Sequence, residues 1–271
     1  GVSSAASDVY KRQATDIAGN SSAASSAVTL TIDTVAPIAP IITSPSVTTN
    51  VTSQTINGTA EAGSTISILD GTTTIGTCLT DSKGSWTFTT PTLSQSAHVL
   101  TVTATDAAGN KSPASKSVTI TVDTTPPNAP TITTKPLVTN NTKPALAGTA
   151  EAGSTVSILD GTTVLGTAVT TSAGAWTFTP TTSLTEGNHS ITVKAKDAAG
   201  NLSTASLALN VMIDLSPPSA PAITTQSSLS KINKPTITGT AEAGSSVSVY
   251  DGSKLLGTVT AATDRSWSYP L

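Results

Sequence analysis

The chain has 271 residues, of which only 11% are charged and 3% aromatic, and its formal net charge is −3. This gives no electrostatic footprint for nucleic acid, and no apolar run reaches the roughly 18 residues that a membrane span needs. Val, Ile and Thr are abundant while charge is scarce, which separates the chain from disordered segments and favours a folded all-β protein.

In chain order, the first feature is the stretch Ser3 to Gln13, SSAASDVYKRQ, which resembles nothing else in the chain. From Ala14 onward the sequence repeats. ATDIAGN starts at Ala14, ATDAAGN at Ala104 and AKDAAGN at Ala195, spacings of 90 and 91 residues. IDTVAP, VDTTPP and IDLSPP follow from Ile32, Val122 and Ile213. GTAEAGSTISILDGT begins at Gly58, GTAEAGSTVSILDGT at Gly148 and GTAEAGSSVSVYDGS at Gly239, and each is followed by a tryptophan, Trp86, Trp176 and Trp267. Such a period is too long for a solenoid unit and suits one small β-sandwich. The expected organisation is the end of one repeat at 14–37, complete repeats at 38–127 and 128–218, and the first part of another at 219–271.

Residues 1–13 are read apart from this series. Just before the ATD motif the later repeats have HVLTVT and HSITVK, with apolar residues alternating as in a strand. SDVYKRQ breaks that alternation, and the match resumes abruptly at Ala14. The eleven residues resemble the codon-by-codon translation of a transposase library sequencing adaptor. The resemblance implies a non-native segment, which is expected to pack poorly or to take that strand's place.

Within 128–218, β-branched runs fall between turn signals and predict seven strands. A lies near Thr131 to Thr134, B is KPALAGTA, C is STVSILD, D is TVLGTAV, E is AWTFTP, F is HSITVKAKD and G is SLALNVMID. Asp160-Gly161, Gly174 and AAGN are the turns. Seven short antiparallel strands predict an all-β, immunoglobulin-like sandwich, and the array is expected to be extended. With one cysteine, Cys78, no disulfide can form within the chain. The next repeat has Ala168 at the matching position, so Cys78 is read as a small buried apolar residue rather than a reactive thiol. The tryptophans recur at one place in every repeat, which suits a core position better than a sugar-stacking platform. The glycines of GxG-like stretches are read as turn glycines. His98 and His189 occupy equivalent positions at the start of strand F, with an acid nearby in sequence only in the second repeat, Glu186. No Ser-His-Asp layout, HExxH or phosphate-binding loop is apparent, so no enzymatic activity is expected.

GTAEAGSTVSILDGT, GAWTFTP, VKAKDAAGNLS and DLSPPSAP together resemble the bacterial Ig-like repeats of giant surface adhesins and biofilm-associated proteins. The resemblance runs from Ala14 to Leu271 and implies a non-enzymatic stalk at the bacterial surface or outside the cell. Its partners are then neighbouring repeats of the same chain, with host or surface ligands left to other modules, no nucleic acid and no membrane insertion. It further implies calcium at the domain junctions.

The acids can be read for that role. Calcium takes about 6–8 oxygens. An up-and-down strand course returns the B–C and F–G loops to the end that meets the incoming linker. Asp123 of the linker, Glu151 of the B–C loop and Asp197 of the F–G turn are therefore expected at one junction. Asp33, Glu61 and Asp106 form the preceding set, and Asp214 and Glu242 begin the following one. The plainer reading of DAAGN is a turn in which Asp bonds its own backbone. For Asp70, Asp160 and Asp251, at the opposite end, it is hairpin chemistry. A carbohydrate- or host-protein-binding module, and the accessory repeats of a secreted hydrolase, are the alternative functions.

Overall fold

The computed structural model describes residues 6–226 and 234–271, with side chains from Asp8 onward. Residues 1–5 of the leading segment, and 227–233 of the last repeat, lie outside the described residues. Contacts divide the chain into two compact units. One comprises the residues up to Pro136 with Lys143–Thr182 and Ser190–Asn210; the other comprises Leu137–Thr142, Ser183–His189 and Val211–Leu271.

The described elements are all strands. The leading pair is β1 (Ala6–Tyr10) and β2 (Val28–Ile32). The first complete repeat has β3 (Ile41–Ile42), β4 (Val47–Thr49), β5 (Thr55–Thr59), β6 (Thr65–Asp70), β7 (Thr73–Leu79), β8 (Ser85–Thr89), β9 (Ala97–Thr105) and β10 (Val118–Val122). The second has β11 (Thr131–Ile132), β12 (Leu137–Thr139), β13 (Leu146–Thr149), β14 (Thr155–Asp160), β15 (Thr163–Val169), β16 (Ala175–Phe178), β17 (Gly187–Lys196) and β18 (Leu209–Ile213). The last has β19 (Ala222–Ile223), β20 (Thr236–Thr240), β21 (Ser246–Asp251), β22 (Lys254–Thr260) and β23 (Ser266–Pro270).

Each complete repeat is a two-sheet sandwich. The first pairs a three-stranded sheet, β3-β5-β8, with a five-stranded sheet, β4-β10-β9-β6-β7; the second repeats this as β11-β13-β16 and β12-β18-β17-β14-β15. All seven predicted strands are present, and an eighth is added. Pro45 and Pro136 interrupt strand A, since proline donates nothing to a ladder. Beyond each proline the chain crosses to the other sheet, where β4 pairs parallel with β10 and β12 with β18. Three residues are too few to carry a readable alternation, so the sequence did not reveal this strand. The Asp-Gly turns close the β6–β7 and β14–β15 hairpins as expected, with φ of 57° at both Gly71 and Gly161. A glycine with positive φ at the first central position suits a two-residue hairpin loop.

The cores follow the alternation. In the first sandwich Ile56, Ile66, Ile68, Trp86, Leu100, Val102 and Ile120 form one buried cluster. Each such side chain contributes about 1.5–3 kcal/mol on burial. Leu146, Val156, Ile158, Trp176, Ile191 and Val193 are buried at the matching places of the second. The tryptophans are core residues in all three repeats. Cys78 is half-buried and packs against the first core, and desolvation pushes its thiol pKa up, away from reactivity.

Not every glycine of the repeats is a turn glycine. Gly58, Gly148 and Gly239 lie inside β5, β13 and β20, where a Cβ on Gly58 would sit 2.1 Å from the Ile41 carbonyl oxygen and 2.3 Å from Cζ2 of Trp86. The missing side chain makes room for the indole ring against the strand. Gly76 and Gly166 do the same for Phe88 and Phe178.

The leading segment takes the place of strand F. β1 pairs antiparallel with β2, Tyr10 opposite Val28 and Asp8 opposite Leu30, as Leu100 stands opposite Val118 and His98 opposite Ile120 in the next repeat. Tyr10 and Arg12 thus stand where the next repeat has Leu100 and Val102, both fully buried there. Tyr10 itself is exposed, as are all five residues of β2.

Candidate functional site: the junctions between repeats

The F–G turn DAAGN folds on itself first. In Asp106–Asn110, one carboxylate oxygen of Asp106 accepts the Asn110 backbone N–H at 2.8 Å, and the other accepts the Asn110 side-chain amide at 2.8 Å. In Asp197–Asn201, Asp197 Oδ1 accepts N–H groups from Gly200 (2.7 Å) and Asn201 (2.8 Å), and Oδ2 accepts Asn201 Nδ2 at 2.8 Å. The Asn110 amide beside Asp106 holds that carboxyl below its ordinary 3.8. For Asp197, burial works to raise the value, but the bonds from Asn201, Gly200 and Ala199 outweigh it and the carboxyl is lowered.

That turn then reaches across the junction. The Asn110 amide also donates to the Asp33 carbonyl oxygen at 3.0 Å, and the buried Asn201 amide to the Asp123 carbonyl oxygen at 2.8 Å. A second bond joins the two complete repeats, from the Asn50 N–H to the Ala199 carbonyl at 3.0 Å. Each sandwich holds its outgoing linker from the other side. Thr124 donates to Gln95 Oε1 at 2.7 Å and Gln95 Nε2 donates to Thr125 Oγ1, while at the matching position Ser216 Oγ donates to Glu186 Oε1 at 2.7 Å.

The linker acids have a local task. Asp33, Asp123 and Asp214 each accept, through Oδ1, the backbone N–H two residues on, at Val35, Thr125 and Ser216. These turns set the chain direction just before the prolines. The B–C loop glutamates contribute their carbonyls. Glu61 O accepts from Ser64 Oγ and Thr80 Oγ1, and Glu151 O from Ser154 Oγ and Thr170 Oγ1, all at 2.7 Å. Glu242 O accepts from Ser245 Oγ. Glu151 lines an open groove with Asp123, Gln95, Ser96, Thr121 and Pro126. Among the described residues no three His, Cys, Asp or Glu side chains are grouped closely enough to hold a metal ion. As donors for calcium the hard oxygens of Asp123 and Glu151 fit in kind, and water would have to supply most of the rest. The sequence had marked the acids of these junctions. It gave little signal for Gln95 and Asn50, which look like any polar loop residue, whereas Asn110 and Asn201 could have been found from the repeated final Asn of DAAGN.

Both complete repeats fall under one family description, with the linker residues 125–131 between the two matches. The profile of the bacterial Ig-like domain matches residues 43–124 and 132–215. The chain belongs to the bacterial Ig-like domain family. One relative of these Ig-like repeats is Exoglucanase B of Cellulomonas fimi, 32% identical over 210 residues, or 72% of this chain. The chain spans only 19% of that protein's length. Among solved structures, the Clostridium thermocellum CbhA fibronectin(III)-like modules are similar at 19% identity, TM-score 0.44, covering 64% of this chain and 92% of theirs. The BSP domain of a biofilm associated protein is similar at 22% identity, TM-score 0.27, covering 67% and 30%.

At the other end of the first Ig-like sandwich the structure corrects the reading of His98. It has an acid partner: Nδ1 donates to Asp70 Oδ2 at 2.6 Å, and Ser96 Oγ lies 3.1 Å from Nε2. Asp70 thus does more than shape its hairpin. The layout has the outline of a Ser-His-Asp set, but Nε2 also points at the Ser94 carbonyl oxygen, 3.0 Å away. A carbonyl can only accept, so while Nε2 donates to it that nitrogen has no lone pair free to take a proton from Ser96. The pair is a strut tying the E–F loop and strand F to the hairpin, and the Asp70 bond raises the His98 pKa above its ordinary 6.5. Among the described residues no helix is long and apolar enough to cross a membrane.

Proposed function

We propose that the chain is a structural segment of a large bacterial surface or secreted adhesin, a stalk that holds a binding module away from the cell in adhesion or biofilm formation. The observation that carries this reading is the junction bracket, in which Asn201 of one repeat holds the Asp123 carbonyl of the preceding one while Gln95 holds the following threonines. Linkers fixed from both sides transmit direction from repeat to repeat, which a stalk needs and a set of independent binding modules does not.

Calcium is the proposed stiffener. The linker and B–C loop carboxylates, Asp33 with Glu61, Asp123 with Glu151 and Asp214 with Glu242, would supply the first oxygens. Asp106 and Asp197 are not grouped with these pairs closely enough to share an ion as the loops stand, so either would add a third carboxylate only by moving toward it. A carboxylate offers about four lone-pair sites; Asp106 uses two and Asp197 three in their own turns. Bound, the ion would neutralise the gathered acids and draw linker and loops together. Sites of millimolar grade would suffice outside the cell.

A second reading draws on the exoglucanase relative: the repeats would be spacers in a secreted hydrolase. Both readings place the segment outside the cytoplasm and give it mechanical work. Small-angle scattering of the chain with calcium and with chelator tests the stiffening. The expected result is a larger maximum dimension with calcium, abolished by Asp123→Ala. Identical curves in both buffers would leave the acids as turn formers and remove calcium from the mechanism.

A further inference from the structure

Among the described residues, the second strand of each Asp-Gly hairpin is an edge of its sheet. β7 and β15 each end a five-stranded sheet, and β22 ends its two-stranded one. All three are seven residues long and share one exposure pattern along their length. Large apolar side chains on them stand in solvent: Leu79 is 69% exposed, Val164 59% and Val169 70%. Alternate backbone N–H and C=O groups of such a strand point away from the sheet with no strand beyond them.

Natural edges are usually guarded by shortness, proline or charge. The opposite edge of each sheet follows that practice. β4 and β12 have three residues each and follow directly on the Pro45 and Pro136 breaks. β7 and β15 have neither proline nor a charged residue. Their one irregularity, opposite Ile68/Leu69 and Ile158/Leu159, brings Gly76 and Gly166 over the Phe88 and Phe178 rings and so serves the sandwich itself. Past it, Thr77–Leu79 and Thr167–Val169 run in regular register.

What would cover such an edge follows from its neutrality and its repetition. It has no charge with which to select an oppositely charged partner. When a strand meets its own equivalent, a strand carrying charges of one sign sets them face to face, and a neutral strand avoids this. A second copy of the chain offers the same neutral edge in both complete repeats, β7 and β15, and its net charge of −3 over 271 residues opposes approach weakly. We propose that two copies associate side by side through β7 and β15, each edge strand adding antiparallel to an equivalent edge of the other copy. The inference does not depend on calcium.

Sedimentation velocity of the whole chain in chelator, over a concentration series, tests it. Reversible association is expected. The double variant Thr77→Lys, Thr167→Lys, on two exposed positions of these strands, should weaken it by about tenfold or more, because like charges then meet across the pair. Thr48→Lys with Val138→Lys, on the guarded edges, should leave it unchanged, and thermal melts would verify that both variants remain folded. A chain that stays monomeric at every concentration overturns the proposal. So does association that survives the first double variant, or association that the second one abolishes.

Discussion

At the scale of single residues, what the sequence disclosed depended on whether a side chain's role is set by its neighbours in sequence or across the sandwich. Trp86, Trp176 and Trp267 were legible as core because they recur beside alternating strands. Gly58, Gly148 and Gly239 were not, because the ring each must clear comes from another strand far along the chain. His98 was misread for the same reason: its acid, Asp70, lies 28 residues away and meets it only through the β6–β9 pairing. The His98–Asp70 strut has a pH signature. A histidine pKa raised in the folded state adds stability that is fully present below the unfolded value of 6.5, and that is lost as pH rises through the higher folded value. Unfolding of the first sandwich should therefore become easier across that window, and Asp70→Asn should flatten the profile. Chemical denaturation at a series of pH values reads this out, and an unchanged slope in the variant would mean that His98 is neutral.

Secondary elements were the most readable level, since strands of four or more residues alternate and their turns carry Asp-Gly or Gly. Only β4 and β12 escaped, being short and defined by a parallel partner far along the chain. The DAAGN turn was legible as a turn from its residues, but its outward bond was not, because one Asn amide hydrogen serves the turn and the other the neighbouring repeat. That division makes Asn201 a test of the junction. Asn201→Ala removes one bond to Asp197 and one to the Asp123 carbonyl, both at 2.8 Å and partly buried. Groups left unpaired in such a place cost about 1–3 kcal/mol. The second sandwich should lose about that much stability, and NMR relaxation should show the two sandwiches tumbling more independently. Lost stability with unchanged coupled tumbling would show that the Asn50–Ala199 bond and the linker alone hold the junction.

Across the whole molecule, the 90-residue step foretold a tandem array of Ig-like sandwiches, because both complete repeats carry the same strands, hairpin and turn. What joins the parts is of a different kind. Within a sandwich the contacts are buried Ile, Leu, Val and Trp; between the two complete sandwiches the named contacts are hydrogen bonds from Asn50 and Asn201 and a polar groove. In repeat arrays stability is close to a sum of unit and interface terms, and here the interface term is the small one. Leu100→Ala is the decisive case. Leu100 is fully buried in the first core, and its truncation should cost about 2–5 kcal/mol there. Val156, Ile158 and Trp176 of the second sandwich are buried and do not belong to the cluster that holds Leu100. Calorimetry of the variant should show one transition moved to lower temperature while the transition of the second sandwich stays within the small coupling set by the bracket. If both shift together by the same amount, the sandwiches unfold as one cooperative body. The junction would then be a structural core in its own right, and stiffness would not need an ion to enforce it.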